Sequence, residues 1–396
     1  MKPTKTALLY ITIYLNLFGL FGGYATFLGG TSYYSSIWLA IYALTSLVFF
    51  KDTFLHITKN QLILILFIFY IMCSFVWSKI PNETVKYSLS FICNILFAIG
   101  LYKNMELNQF LITLRNFLNF YIILGIILFI IGLDQTVYYD PLQRGNLFNS
   151  ELIKGLFSHK IYAGFYSAFA FILNVKLNEN NLYLKYFFCS MCAIGVIISG
   201  SSIGLMSLFL YITLATYLNI FERKIINKKY FKLTTLILLV FLVIVYIFLP
   251  LILESLNRDM TFTGRAKLWE WGVVFSQQRP IFGWGYSGIF SDLPGAPSQI
   301  INKYQYYVAP HFHNGYLQIT AELGLIGLAF YLFVLKRTIN CCYLLFQRQS
   351  NSTPFLYLIV MLIVAIGMNL MSRYNEFSTF FLFYLFLSSN HLTRKL

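Results

Sequence analysis

The sequence predicts an all-α, polytopic membrane protein of about twelve transmembrane helices, and three observations carry that prediction. Only 11% of its 396 residues are charged while 58% are hydrophobic, against about 25% charged in an average soluble domain. Apolar runs of about 17–25 residues, the length one helix needs to cross a bilayer, recur along the whole chain. Basic residues concentrate in alternate connections between those runs. Lipid offers no partner to backbone amides, so such runs are helices or closed-barrel strands. They are too long and too continuously apolar for strands.

In chain order the spans fall at 7–27, 33–50, 61–78, 85–102, 110–133, 157–175, 182–199, 202–221, 233–253, 313–335, 354–372 and 377–390. The first has the basic start and apolar core of a secretory signal, but a second apolar run follows almost at once, which predicts an uncleaved helix. With the N-terminus inside, 18 of the 29 Lys and Arg residues fall in cytoplasmic connections, facing only Asp52, Glu106, Glu179 and Glu222. Both termini are then cytoplasmic, and the "ERKIINKKYFK" loop at 222–232 anchors the orientation. The net charge of +15 follows from this bias. No nucleic-acid partner is expected.

No internal repeat or soluble domain is evident, so residues 1–396 read as a single integral-membrane domain. One connection stands apart, the external loop 254–312 between spans nine and ten. Loops of that length are usually functional or disordered. This one holds "RAKLWEWGVVFSQQ", a short helix, and "RPIFGWGYSGIF", a glycine-punctuated turn. Its Trp269, Trp271 and Trp284 suit a membrane interface. The six cysteines lie in apolar runs or a cytoplasmic loop. The C-x-x-C of Cys189 and Cys192 has no flanking His or Cys cluster, so core packing is expected and no structural disulfide.

The ionisable groups of the external face are the candidates for chemistry. The long loop supplies Arg258, Arg265, Lys267, Arg279 and Lys303; span six opens with His159 and Lys160; span ten opens with His311, His313 and Asn314. Singly, each reads equally well as a solvated helix end. As a group, outward cations run against the topological bias and suit an anionic substrate at the outer leaflet. Arg binds phosphate bidentately, whereas Lys acts as a point charge. A lipid diphosphate would place its head group here and its tail between helices. Cleaving a sugar–diphosphate bond puts negative charge on the leaving group, which fixed guanidinium groups stabilise. A histidine beside it, with an ordinary pKa of about 6.5, can take the proton of an incoming sugar hydroxyl. No D-x-D or H-E-x-x-H occurs, so the reading is metal-independent and without a cofactor.

The order "TGRAKLWEWGVVFSQQRPIFGWGYSGIF" then "HFHNGYLQITAELGLIGL" resembles the O-antigen ligase and polymerase superfamily of bacterial envelope synthesis. A G-R-x-x-x-W segment is matched at Gly264, Arg265 and Trp269, and a P-x-x-G-x-G turn at Pro280, Gly283 and Gly285. H-N-x-x-L follows at His313, Asn314 and Leu317, and E-x-G-x-x-G at Glu322, Gly324 and Gly327. "GLFSHKIYAG" is similar to a further element at Gly155, Phe157, His159, Lys160 and Gly164, with Ile161 in place of an asparagine. Ser202 stands where many members carry an arginine.

The resemblance implies a multi-pass glycosyltransferase of the bacterial cytoplasmic (inner) membrane, its active site facing the periplasm or exterior. The donor would be an undecaprenyl-diphosphate-linked glycan and the acceptor another glycan or lipid A–core, among membrane lipids and with a chain-length regulator as a further candidate partner. Arg265 would bind the diphosphate and His313 assist acceptor attack. Lys160, His159, Arg258, Lys267, Asn314 and His311 would bind diphosphate or glycan, although Asn314 equally suits a helix cap. Glu322 lies nine residues beyond His313, on the opposite helix face at about 100° per residue, which predicts a buried structural role. Gly324 and Gly327 suit close packing. Polymerisation of repeat units is the leading expectation, ligation to lipid A–core the alternative. A lipid-linked oligosaccharide flippase is the alternative of another class, which would call for charged or broken-helix features in several spans.

Overall fold

The computed structural model describes residues 3–24, 40–45, 57–139, 151–177, 179–222, most of 233–244, 262–305, 310–349 and 351–394. Most of the expected spans 33–50 and 233–253, the start of the long loop, and Arg258 lie outside the described residues. The chain is multi-pass and mostly helical. Among the described residues, five helices are long and apolar enough to cross a membrane, over Lys59–Val76, Pro81–Asn104, Leu107–Ile130, Ser202–Phe221 and Gly315–Gln347. Shorter apolar helices stand at several of the other expected spans.

The backbone divides into two compact units. The first holds Met1–Ile41, Met105–Ile252 and Leu345–Val360. Its described elements are α1 (Pro3–Leu20), α4 (Leu107–Ile130), a two-stranded antiparallel ribbon β1 (Val137–Tyr138) and β2 (Leu152–Ile153), α5 (Lys160–Lys176), α6 (Leu182–Ile198) and α7 (Ser202–Glu222). Small residues let α5 and α7 close on each other: a β-carbon on Gly204 would stand 2.6 Å from the Gly164 α-carbon. Backbones approach this closely in membranes only where side chains vanish. Asn119 of α4 and Asn174 of α5 exchange side-chain hydrogen bonds at 2.9 and 2.7 Å. The Cys192 thiol lies 3.7 Å from Asn174, a packing role in keeping with the apolar setting of the C-x-x-C.

The second unit holds Tyr42–Asn104, Leu253–Leu344 and Met361–Leu396. It contains α2 (Lys59–Cys73), α3 (Pro81–Asn104), α8 (Phe262–Gln278), α9 (Ser298–Gln305), most of α10 (Gly315–Gln349), the end of α11 (Thr353–Val364) and α12 (Phe377–Arg394). Aromatic contacts knit the helices, as where Phe67 and Phe330 stack at 3.7 Å. The loop helix expected over "RAKLWEWGVVFSQQ" is α8. Its Leu268 and Phe275 form a buried cluster with Ile289, Ile301, Phe312 and Ala321, so this part of the loop is an ordered layer with a core of its own.

Two expected spans differ in extent. Helix α10 continues past 335 to Gln349 and is interrupted at Gly324, whose φ of 64° and ψ of −165° are not helical. Helix α11 stops at Val364 instead of 372. The residues up to Glu376 form turns, and their carbonyls serve the site described next.

Candidate functional site

The segment from His311 to Asn314 is built around a buried anchor. The Phe312 side chain is fully buried in the α8 cluster, and its ring contacts Phe275 and Phe290. A side chain pulled inward between two histidines turns both toward the polar side. His313 takes a φ of 52°, a left-handed conformation that is uncommon for a residue with a β-carbon. Four hydrogen bonds hold the segment. The His313 N–H donates to His311 Nδ1 at 3.0 Å, and the Phe312 N–H donates to Gln318 Oε1 at 3.0 Å. Asn314 Oδ1 then accepts from the Tyr316 and Leu317 N–H groups at 3.0 and 3.1 Å. Asn314 is thus the N-cap of α10, satisfying donors that a helix start leaves open.

The two imidazoles lie 4.1 Å apart, centroid to centroid. Because His311 Nδ1 accepts the His313 N–H, a neutral His311 ring carries its proton on Nε2. His311 is therefore fixed as a donor, and His313 is the ring whose backbone, not its nitrogen, makes that bond.

Arg265 converges on the same place. Its Nη1 donates to the Gly367 carbonyl at 2.9 Å, while the Gly315 N–H, two residues past His313, donates to the Ala365 carbonyl at 2.8 Å. One turn, 365–367, receives the guanidinium of α8 and the head of α10. The early stop of α11 exposes these carbonyls.

The glycine motifs explain how the loop is registered. In an unbroken α10, the Leu325 and Ile326 amides would bond to Ala321 and Glu322. Instead Leu325 and Ile326 donate to the Pro280 and Ile281 carbonyls at 2.8 and 3.4 Å, while the Ala321 and Glu322 carbonyls accept from Trp284 and Gly285 at 3.0 and 2.9 Å. The freed Leu323 carbonyl takes the Tyr70 hydroxyl at 2.7 Å. The loop backbone is spliced into the helix, and each exchanged group finds a partner, the condition for non-helical backbone at membrane depth. A β-carbon on Gly283 would collide with the Glu322 backbone, and one on Gly324 with the Ile281 carbonyl. Arg279 locks the turn, donating to the Trp77 carbonyl at 2.7 Å and lying 4.2 Å over the Trp284 ring.

The other expected site residues are placed differently. Lys267 pairs with Glu270 at 2.8 Å on an exposed face of α8, two residues and about 200° around from Arg265. His159 and Lys160 belong to the first unit. His159 caps α5, its Nδ1 accepting from the Ile161 N–H at 3.1 Å. Both residues flank Tyr138, the imidazole 4.4 Å from the ring and the Lys160 ammonium 5.1 Å above it. The "SGSSIG" segment is spent on packing, with Ser199 and Ser201 buried. Lys154 is half-buried nearby in sequence, and burial lowers its pKa.

Sequence reasoning passed over "MNLMSRYNE", 368–376, which begins inside the expected span 354–372 and runs up to the next. Asn369, Ser372, Arg373 and Tyr374 line a cavity of about 90 Å³ with His311 and Glu322. Burial raises the pKa of Tyr374, so its hydroxyl stays protonated. The available signal was a polar run, with an arginine, in an otherwise apolar stretch. Glu322 is buried as expected, accepting from Gln318 Nε2 at 2.7 Å and from the Ser287 backbone. Through Gln318 it reaches the Phe312 amide, so it braces the histidine turn from behind.

Residues 187–332 match the family model described as O-antigen ligase. The chain is also 26% identical over 282 residues to the exopolysaccharide production protein ExoQ of Rhizobium meliloti (strain 1021). That alignment covers 65% of this chain and 60% of the relative's length. The matched region contains α8, the spliced turn and the His311–Asn314 segment. Over these residues the chain is similar to the O-antigen ligase family, and its apolar helices are those of a multi-pass membrane protein.

Proposed function

We propose that this protein transfers a glycan from an undecaprenyl-diphosphate carrier to a glycan acceptor at the external face of the bacterial cytoplasmic membrane, extending a polysaccharide. The observation that carries this reading is the meeting of Arg265 and the His311–Asn314 segment on the 365–367 turn. An acceptor hydroxyl oxygen bonds to the anomeric carbon as the carbon–oxygen bond to the diphosphate breaks. The hydroxyl proton passes to His313, and the electron pair departs with the lipid diphosphate. Arg265 stabilises that growing charge, a contribution of about 3–4 kcal/mol per donor in comparable oxyanion sites. The left-handed backbone at His313 supports the assignment, because strained residues held by their surroundings cluster at functional sites.

Repeat-unit polymerisation is favoured by the similarity to a protein named for exopolysaccharide production. Ligation to lipid A–core is the second reading, favoured by the description of the matched family. A transporter would use a broken helix to open an ion or substrate site at midplane. Here the break at Gly324 is closed by loop backbone, which argues for a structural joint.

A deletion strain separates the readings by gel analysis of its glycans. Loss of a polymerase leaves single repeat units on the core or carrier, whereas loss of a ligase leaves polymer unattached. Arg265→Ala and His313→Ala should each abolish long chains while the protein stays in the membrane. Normal ladders from both variants would refute the site.

A further inference from the structure

The cavity beside the histidine turn has a wall of mixed character. His311, Gln318 and Glu322 contribute from the turn and α10, Asn369 and Arg373 from the segment after α11, and Tyr87 from α3. Arg373 and the buried Glu322 bring basic and acidic side chains to the same cavity. Asn369 and Ser372 are hydrogen-bonded to each other at 3.1 Å. Tyr87 and Tyr374 stack at 4.7 Å on the same wall.

This composition selects among ligands. A phosphate would meet the Glu322 carboxylate, and an ammonium would meet Arg373. A lipid tail would set hydrocarbon against a wall of amide, carboxylate, hydroxyl and guanidinium groups and use none of their remaining hydrogen-bonding capacity. An uncharged group bearing both donors and acceptors satisfies every wall. The volume, about 90 Å³, is about that of three waters in the liquid, and so fits one substituent of a ring, not a whole sugar.

We infer that this cavity is a subsite for an uncharged polar substituent, a hydroxymethyl or acetamido group, of the acceptor sugar. Glu322, Gln318 and Asn369 are its specificity-determining residues. The inference rests on the glycan-transfer reading. His311 forms part of the wall, and its ring lies 4.1 Å from that of His313. A sugar anchored by one substituent in the cavity thereby presents its remaining hydroxyls toward the His313 side of the turn. Chemistry at His313 is then coupled to recognition through two residues, His311 and Gln318, that hold the turn and line the cavity together.

The test uses the full chain in lipid nanodiscs. The probe is the repeat-unit oligosaccharide released by mild acid from the carrier lipid of the source strain. Binding is followed by saturation-transfer NMR and transfer by extension of the lipid-linked donor. Asn369→Leu, which fills the cavity with hydrocarbon, should weaken binding and raise the acceptor KM by about tenfold, the effect of one lost hydrogen bond to a buried polar group, with kcat changed less than threefold. His313→Ala should bind the probe as the native protein does and fail to transfer it. Glu322→Gln, close to the native shape, serves as the second variant should Asn369→Leu not fold, and should weaken binding in the same sense.

A folded Asn369→Leu protein with native affinity and KM would overturn the subsite, leaving a cavity that holds ordered water only. Failure of Glu322→Gln to change either quantity would do the same. If the native protein neither binds the probe nor extends the donor, the glycan-transfer reading falls and the subsite with it. Normal transfer combined with unaltered variants removes the subsite alone.

Discussion

Gly324 and Ile281 are packed backbone against backbone. The Ile281 carbonyl occupies the space a side chain at 324 would need, and accepts from the Ile326 amide at 3.4 Å. The external loop is thus fastened to α10 by main-chain bonds that carry no side-chain signature. Gly324 also holds a φ of 64°, which glycine adopts without the usual cost of about 1–2 kcal/mol.

Gly324→Ala should therefore separate loop and helix. The expected outcome is a lower unfolding midpoint in detergent and loss of glycan transfer. Gly327→Ala lacks the positive φ, but its β-carbon would collide with the Leu323 β-carbon, so it too should lower the midpoint. Equal thermal midpoints for the native protein and Gly324→Ala would contradict the splice.

In the role proposed for Arg265 at the diphosphate, charge alone should not suffice, because a guanidinium binds phosphate through two nitrogens. Arg265→Lys is expected to retain the membrane fold and lose about 10- to 100-fold in transfer rate, since a lysine cannot reproduce the planar fork. Lys267→Ala should change transfer little, because an exposed pair such as Lys267–Glu270 contributes about 0–1 kcal/mol. Rates with purified lipid-linked donor check both.

His313→Gly tests the role of the ring apart from that of the backbone. Glycine accepts the left-handed conformation freely, so this variant should fold at least as well as His313→Ala. Transfer should be lost and then partly restored by added imidazole. A proton acceptor acting from solution predicts that rescue, whereas a purely structural histidine does not.

Asn314→Ala removes the cap of α10 and should destabilise the protein by about 0.5–2 kcal/mol, with Asn314→Asp nearly neutral. The measurement is thermal unfolding together with acceptor KM. A fall in stability without a change in KM identifies Asn314 as a cap; a KM change in Asn314→Asp would show contact with the glycan.

In the first unit, the Asn119–Asn174 pair should behave as glue between helices. Single replacement by leucine is expected to cost about 0.6–2 kcal/mol, and the double replacement less than the sum of the two, because neither amide is then left unpaired. A double-mutant cycle on unfolding provides the value.

Much of this protein was legible along the chain, because hydropathy and capping are local. A run of lipid-compatible residues makes a helix wherever it lies, and described helices stand close to most of the expected spans. Asn314 three residues before Leu317 announces a helix start by its own chemistry. The burial of Glu322 followed from its angle on the helix. Tertiary structure decided what depends on distant partners. Gly324 reads as a packing glycine until the 280–285 backbone is laid against it, since hydropathy does not distinguish a continuous helix from one whose bonds are exchanged with a loop. Beyond the end of α11 at Val364, the Ala365 and Gly367 carbonyls accept from Gly315 and Arg265, two groups about fifty and a hundred residues earlier. The cavity around Glu322, Asn369 and Arg373 exists only once four remote segments meet, and no pattern within any one of them contains it.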